Sequence, residues 1–339
     1  MTSKTFSSRQ QQAVLRLVSE RTGLAFNDDR LPAAALAIVR VARRREVYDG
    51  GRLLQLFSAD QSAFDELIEE VTVGETYFFR EPAQFDFVRE QVLPELQRRH
   101  EPHHVLRMWS AGCASGEEPY SLAMLCEEEG LADRAEITGT DISPESLTKA
   151  RRGVYREWAL RGVPPTIVRR YLRRQGEEYL LDERIRRRVE FGYFNLAAGG
   201  AEGRVQPIEE GTPQSTRLTQ PWHPEGPWQP GYDLIFCRNV LIYFDAATVA
   251  RVGRRLFDAL APGGWLVTAS SDPSVADHAP FEAVVTPAAI AWRRPLRSGG
   301  ERLPVAGVSP GATAVSAVWI AGCLLLRIDL FPQPLPPPN

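Results

Sequence analysis

The sequence predicts an α/β fold built on a parallel sheet and preceded by a small all-helical domain, and three observations point to it. From Val105 onward, β-branched and apolar runs at 105–111, 135–140, 189–194, 232–237 and 265–270 alternate with helical stretches, as in a sheet with crossover helices. Upstream, residues 8 to 72 carry helical periodicity. Phe64, Leu67, Ile68 and Val71 fall at i, i+3, i+4 and i+7, and Val14, Leu17 and Val18 begin a similar stripe. The third observation is the stretch Trp109-Ser110-Ala111-Gly112-Cys113-Ala114-Ser115-Gly116-Glu117-Glu118-Pro119-Tyr120, which reads as a strand end, a small-residue turn and a helix start.

The elements follow in order. Residues 8–85 form the predicted helical domain, closing on a hinge-like stretch, Val73-Gly74-Glu75-Thr76-Tyr77-Phe78-Phe79-Arg80-Glu81-Pro82, from which an amphipathic helix runs to about Arg99. Residues 86–297 form the α/β domain. Within it a basic helical stretch leads to a short antiparallel β excursion at 177–190, and the Gly-, Pro- and Gln-rich residues 197–231 predict a long flexible loop. A helix over 246–260 ends at Ala261-Pro262-Gly263-Gly264. The tail, 298–339, predicts a disordered extension. Its uncharged residues 305–326 have the length of a membrane span, but they are rich in Ala, Gly and Ser and contain Pro310.

Composition excludes several classes. A net charge of −3 gives no overall pull towards nucleic acid or membrane. The cysteines Cys113, Cys126, Cys237 and Cys323 stand far apart with no C-x-x-C pair, so neither a disulfide framework nor a zinc site is expected. The start, Met1-Thr2-Ser3-Lys4-Thr5-Phe6, lacks the apolar core of a signal peptide, and a reducing cytoplasm is the expectation. His100, His103 and His104 sit in a linker without an acidic or thiol partner of suitable spacing, so no metal is expected.

The turn carries the chemistry. Gly112 and Gly116 permit conformations and a close approach that a Cβ would forbid, and Pro119 suits the first turn of the next helix. The spaced G-x-G-x-x-G of a pyrophosphate cradle is missing, and Glu117 and Glu118 stand where a phosphate would want bare N–H groups. A cofactor with a sugar and a positive charge but no phosphate fits better, and S-adenosylmethionine has those properties. Asp141, ending the strand Glu136-Ile137-Thr138-Gly139-Thr140, is placed for its ribose hydroxyls. The apolar strand before Cys237 ends abruptly in Arg238 and Asn239, at the carboxyl edge where open α/β sheets bind ligands.

Four segments in order, Glu75-Thr76-Tyr77-Phe78-Phe79-Arg80-Glu81, Trp109 through Ser121, Thr140-Asp141-Ile142-Ser143, and Phe236-Cys237-Arg238-Asn239-Val240-Leu241-Ile242-Tyr243-Phe244, together with the helical start, resemble the CheR family of chemotaxis receptor methyltransferases over residues 8 to 295. The resemblance implies a class I S-adenosylmethionine methyltransferase (Rossmann-like) domain. It implies transfer of a methyl group to glutamate side chains on the cytoplasmic helices of chemoreceptors, with S-adenosylhomocysteine as product. Carried over by position, Thr76, Arg80, Glu118, Asp141, Asn195, Leu196, Arg238 and Asn239 form the cofactor shell, and Arg80 and Tyr243 flank the transferred methyl. In family terms the helical domain and the excursion face the receptor, and the basic run Arg40, Arg43, Arg44 and Arg45 is a docking candidate for acidic receptor helices. The chain is expected to be monomeric, without nucleic acid.

Several positions depart from the family pattern. Gly74 stands in place of an asparagine, the loop 197–231 is longer than usual, and Ala269-Ser270-Ser271-Asp272-Pro273-Ser274 matches only loosely. Two other readings compete: a cofactor- or receptor-binding module of the same fold without turnover, and a methyltransferase acting on a small molecule or nucleic acid.

Overall fold

Ser7 starts the first helix by a reciprocal cap: Gln10 N donates to the Ser7 hydroxyl (3.4 Å) and Ser7 N donates to the Gln10 side chain (2.9 Å). The computed structural model describes residues 6–72, 75–198, 227–286 and 290–296. Among them the N-terminal stretch forms α1 (Ser8–Thr22), α2 (Leu31–Arg44), α3 (Gly50–Ala59) and α4 (Gln61–Val71). Asp49 and Asp60 cap α3 and α4 by accepting backbone N–H groups. The apolar stripes meet in a common core: Val14, Val18, Ile38, Leu53, Phe57, Phe64, Leu67 and Ile68 are buried together.

The helix expected to run to about Arg99 consists of α5 (Pro82–Phe87), a π turn (Val88–Val92) and α6 (Leu93–Arg99). The wider turn sits directly before Pro94, which has no N–H to donate.

β1 (Leu106–Ala111) and β2 (Ala135–Asp141) are followed by the excursion strands β3 (Val154–Arg156), β4 (Leu172–Gln175) and β5 (Glu178–Leu181). The main sheet resumes with β6 (Val189–Tyr193), β7 (Tyr232–Phe236), β8 (Leu260–Val267), β9 (Glu282–Val285) and β10 (Ile290–Arg293). Its order is β6-β2-β1-β7-β8-β10-β9. The pairs β1–β2, β1–β7, β2–β6 and β7–β8 are parallel, and β10 runs antiparallel to β8 and β9. The fold is the expected Rossmann-like α/β architecture. Four of the strands read from the sequence are present at nearly the expected bounds; the fifth, expected at 265–270, begins at Leu260 directly after α11 and ends at Val267, so Ala261-Pro262-Gly263-Gly264 is strand rather than turn, and β9 and β10, short and partly exposed, had no strong periodic signal. Connections α7 (Glu117–Glu128), α8 (Pro144–Arg152), α9 (Pro165–Tyr171), α10 (Glu183–Arg186) and α11 (Ala246–Ala259) complete the elements used below.

The excursion differs from the one expected at 177–190. β5 pairs with β4 and β3, while residues 183–186 are helical and Val189 already belongs to the main sheet. The turn is made at Gly176, whose φ of +64° suits a tight reversal, and Asp182 caps α10 by accepting from Arg184 N. Gly74, most of the loop 197–231 and the tail 298–339 lie outside the described residues. Among the described residues no helix is long and apolar enough to cross a membrane.

α4 is tied to α8 by one carboxylate. Glu69 accepts from the hydroxyls of Ser143 and Ser146 and from Lys149 Nζ (2.9 Å). Burial works against its charge, yet these donors hold it below its ordinary value. Glu69→Ala is therefore expected to cost about 1–3 kcal/mol, read as a lower urea midpoint at unchanged slope. An unchanged midpoint would mean that apolar contact alone holds α4 to α8.

Candidate active site

A cavity opens at the carboxyl ends of β1, β2, β6 and β7, where the strand order reverses between β1 and β7. Around it stand Thr76, Arg80, Glu118, Asp141, Asn195, Leu196, Arg238, Asn239 and Tyr243, nine residues singled out in the sequence. Thr22, Leu24 and Thr72 of the helical segment line it as well, which no local pattern announced.

The turn after β1 shapes its floor. Gly112 (φ +78°) faces Val240, and a Cβ there would come within 2.4 Å of that side chain; at Gly116 (φ +90°) a Cβ would meet Ala150 at 2.8 Å. Ala114, also with positive φ, donates its N–H to Asp141 Oδ2 (2.8 Å), and Ser143 N donates to Oδ1 (2.8 Å). Asp141 is thus oriented from both sides at the end of β2. Burial pushes its carboxyl up while the backbone N–H groups counter it.

The two glutamates of the turn separate. Glu118 faces the cavity and accepts from the Ser110 hydroxyl (2.7 Å). Glu117 turns away into the protein, 3% exposed, where it accepts from the Ser115 hydroxyl (2.8 Å). Burial raises its pKa to about 7, with the Ser115 hydroxyl opposing.

Arg238 is the most constrained charge at the site, its side chain 1% exposed. Nη2 donates to the Arg80 carbonyl (2.6 Å). Nε and Nη1 are buried without a hydrogen-bond partner, and the nearest carboxylates, Glu118 and Glu81, are 3.5 and 3.9 Å away. Its neighbour Asn239 adopts φ +58°, with its N–H on Asp272 Oδ2 (2.7 Å) and its side-chain amide donating to Ser271 (2.9 Å). Arg80 is half-buried at the cavity, donating to the Glu75 carbonyl (2.5 Å). Asn195 spends its side chain on protein groups, donating to the Arg21 carbonyl (3.0 Å) and accepting from Ala197 N (2.9 Å). Tyr243 stands where helices and sheet meet: Arg30 lies 4.2 Å over its ring, and its carbonyl accepts from Ala25 N (2.8 Å). Phe78 and Phe79 pack edge-on against Tyr155 and Phe85, in keeping with a core role.

A family model described as CheR methyltransferase, SAM binding domain, matches residues 74–207 and 222–290. The chain belongs to this family. It is 32% identical over 267 residues to the chemotaxis protein methyltransferase of Salmonella typhimurium, covering 76% of this chain and 82% of that one. With chemotaxis protein methyltransferase 1 of Pseudomonas aeruginosa it shares 29% identity, over 78% and 91% of the two chains. The probable biofilm formation methyltransferase WspC of Pseudomonas aeruginosa, also 29% identical, is matched over 95% of this chain and 69% of its own length. As a CheR-family methyltransferase the chain uses S-adenosylmethionine, and the cavity suits that cofactor: it holds a buried guanidinium with N–H groups that make no hydrogen bond, and from the turn it presents the carboxylate of Glu118.

Two sets of residues outside the cavity look different in three dimensions. The basic run is not a bare face: Arg40 pairs with Glu70 (2.6 Å), Arg44 with Glu66 and Glu70, and Arg45 with Glu66 (2.8 Å). Glu66 and Glu70 repeat at the same one-turn spacing as Arg40 and Arg44, so the two helices neutralise each other. Arg43 alone of the run is exposed with no ion pair among the described residues. His100 and His104 do have an acidic partner, Asp233 of β7, distant in sequence. Their rings stack in parallel (3.7 Å, 5°), and each Nε2 meets one oxygen of its carboxylate, at 2.9 and 3.1 Å. Asp233 Oδ2 also accepts from Arg107 N (3.0 Å), so this carboxylate ties His104 to β1, and the side chains of His100, His104 and Asp233 bring their ligand atoms within 4.8 Å of one another.

Because folded Glu117 holds its proton up to about pH 7 while the unfolded chain releases it near 4.5, this group's contribution to folding stability is greatest at low pH and falls as the pH rises between these values. Glu117→Gln is expected to shrink the stability lost between pH 5.5 and 8 by roughly 2 kcal/mol in denaturant titrations. Equal losses in both proteins would place the proton elsewhere.

Proposed function

We propose that this chain transfers the methyl group of S-adenosylmethionine to glutamate side-chain carboxylates on the cytoplasmic helices of chemoreceptors, yielding glutamyl methyl esters and S-adenosylhomocysteine. The observation that carries the reading is the buried, incompletely paired guanidinium of Arg238, on a cavity that also presents Asp141, Glu118, Arg80 and Tyr243. Arg238 is suited to a cofactor carboxylate and Asp141 to ribose hydroxyls. Glu118 lies 3.5 Å from Arg238, and Thr76, Asn195, Leu196 and Asn239 complete the wall. Asn195 contributes shape and backbone, since its side chain is already engaged.

When bound, S-adenosylmethionine supplies an electrophilic methyl group on a positively charged sulfur. The protein has little proton chemistry to perform. A glutamate acceptor, with a reference pKa near ~4.3, is already anionic at neutral pH. Arg80 orients the incoming carboxylate, Tyr243 bounds its path, and the helical segment over the cavity keeps water away. These roles account for catalysis by alignment.

We assign residues 8–85 to receptor docking and residues 86–297 to methyl transfer, in a monomeric, cytoplasmic protein. With Arg40, Arg44 and Arg45 already paired, docking relies on more than that run, and Arg43 is its accessible charge.

Incubation with methyl-labelled S-adenosylmethionine and a receptor cytoplasmic fragment, followed by base, is expected to release label as volatile methanol. Label that resists base, or none, would support another acceptor or a binding module without turnover.

A further inference from the structure

The loop between β7 and α11 carries Arg238, Asn239 and Tyr243, and its shape is not self-supporting. Asn239 sits in the left-handed region at φ +58°, which costs a non-glycine residue of order 1 kcal/mol unless its surroundings hold it there. The hold comes from Asp272, beyond the end of β8, in the segment that matches the family pattern only loosely. Its Oδ2 accepts from Asn239 N (2.7 Å) and Ala269 N (3.0 Å), and its Oδ1 accepts from Ile242 N (3.3 Å). Two backbone donors of the loop and one of Asp272's own segment thus converge on one half-buried carboxylate, and Ser271 next to it accepts from the Asn239 side-chain amide. A carboxylate only accepts, so it satisfies all three donors, whereas an amide must turn its own N–H groups towards one of them.

We propose that Asp272 is a positioning residue, whose carboxylate holds Asn239 and the turn Leu241–Tyr243 in the geometry used for cofactor binding and methyl transfer. This deepens the reading of the cavity as a methyltransferase site and rests on it. Asp272 does not line the cavity, so its effect passes through Asn239 and the turn.

The test compares wild type, Asp272→Asn, Asn239→Ala and the double variant by calorimetric binding of S-adenosylhomocysteine, receptor methylation kinetics and thermal unfolding. Asp272→Asn is expected to weaken S-adenosylhomocysteine about tenfold, the size of one lost hydrogen bond to a charged group, and to lower kcat at least as much while receptor KM stays within about twofold. The double variant is expected to bind no more weakly than the worse single variant, because both act through the same loop. If Asp272→Asn does not fold, Asp272→Ser, smaller and keeping one acceptor, is read the same way. A lower unfolding temperature with unchanged affinity and kcat, or multiplicative losses in the double variant, would overturn the assignment. Wild-type protein that bound no S-adenosylhomocysteine would instead remove the cofactor reading beneath it.

Discussion

A guanidinium withdrawn from water at the end of β7 is the constraint around which the site is organised. Removing such a charge from solvent costs several kcal/mol unless it is well paired, and Arg238 is paired only in part. The surrounding protein bends to meet it. Glu118 is held towards it by Ser110, and the segment after α4 folds inward so that the Arg80 carbonyl can accept from it. That segment contains two residues at positive φ, Phe79 and Glu81. With Ala114 and Asn239 they make four of the five such non-glycine residues among the described ones, all in segments that build the cavity. Backbone strain of this kind, of order 1–3 kcal/mol per residue, persists where neighbouring contacts over-determine the conformation.

The helical segment belongs to the same arrangement. Asn195 donates to the carbonyl of Arg21 in α1, Ala25 donates to the carbonyl of Tyr243, and Glu69 fastens α4 to the loop that follows Asp141. Several points of the cavity wall are therefore anchored to helices that precede the sheet in sequence. A docking event on those helices would act on Asp141 and Tyr243 through short chains of hydrogen bonds.

Much of this was legible in the sequence because it is locally encoded. The parallel strands are continuous apolar runs, the turn at Gly112 announces its close approach by its composition, and Asp141, Arg238 and Asn239 end strands at the edge where ligands bind. What escaped depends on partners distant in the chain. Asp233 is over a hundred residues from the histidines it meets, and Asp272 reaches back to Asn239 across a whole β–α unit. The excursion was misplaced because Glu178–Leu181 is a plausible strand whose partner could equally have followed it. The structure pairs it with the strands before it, through Gly176. The basic run of α2 looked like a surface signal, although its acidic complement on α4 was present at matching spacing.

In the proposed reading Arg238 is a charge held in reserve for the cofactor's carboxylate at a cost to the unliganded fold. Arg238→Met, which keeps much of the volume and removes the charge, tests it when apo stability and S-adenosylhomocysteine affinity are measured on the same protein. The account predicts apo stability equal to or above wild type, with affinity lower by about a hundredfold, the order expected for losing a buried charged pair. A variant that is several kcal/mol less stable and binds S-adenosylhomocysteine as tightly as wild type would contradict it.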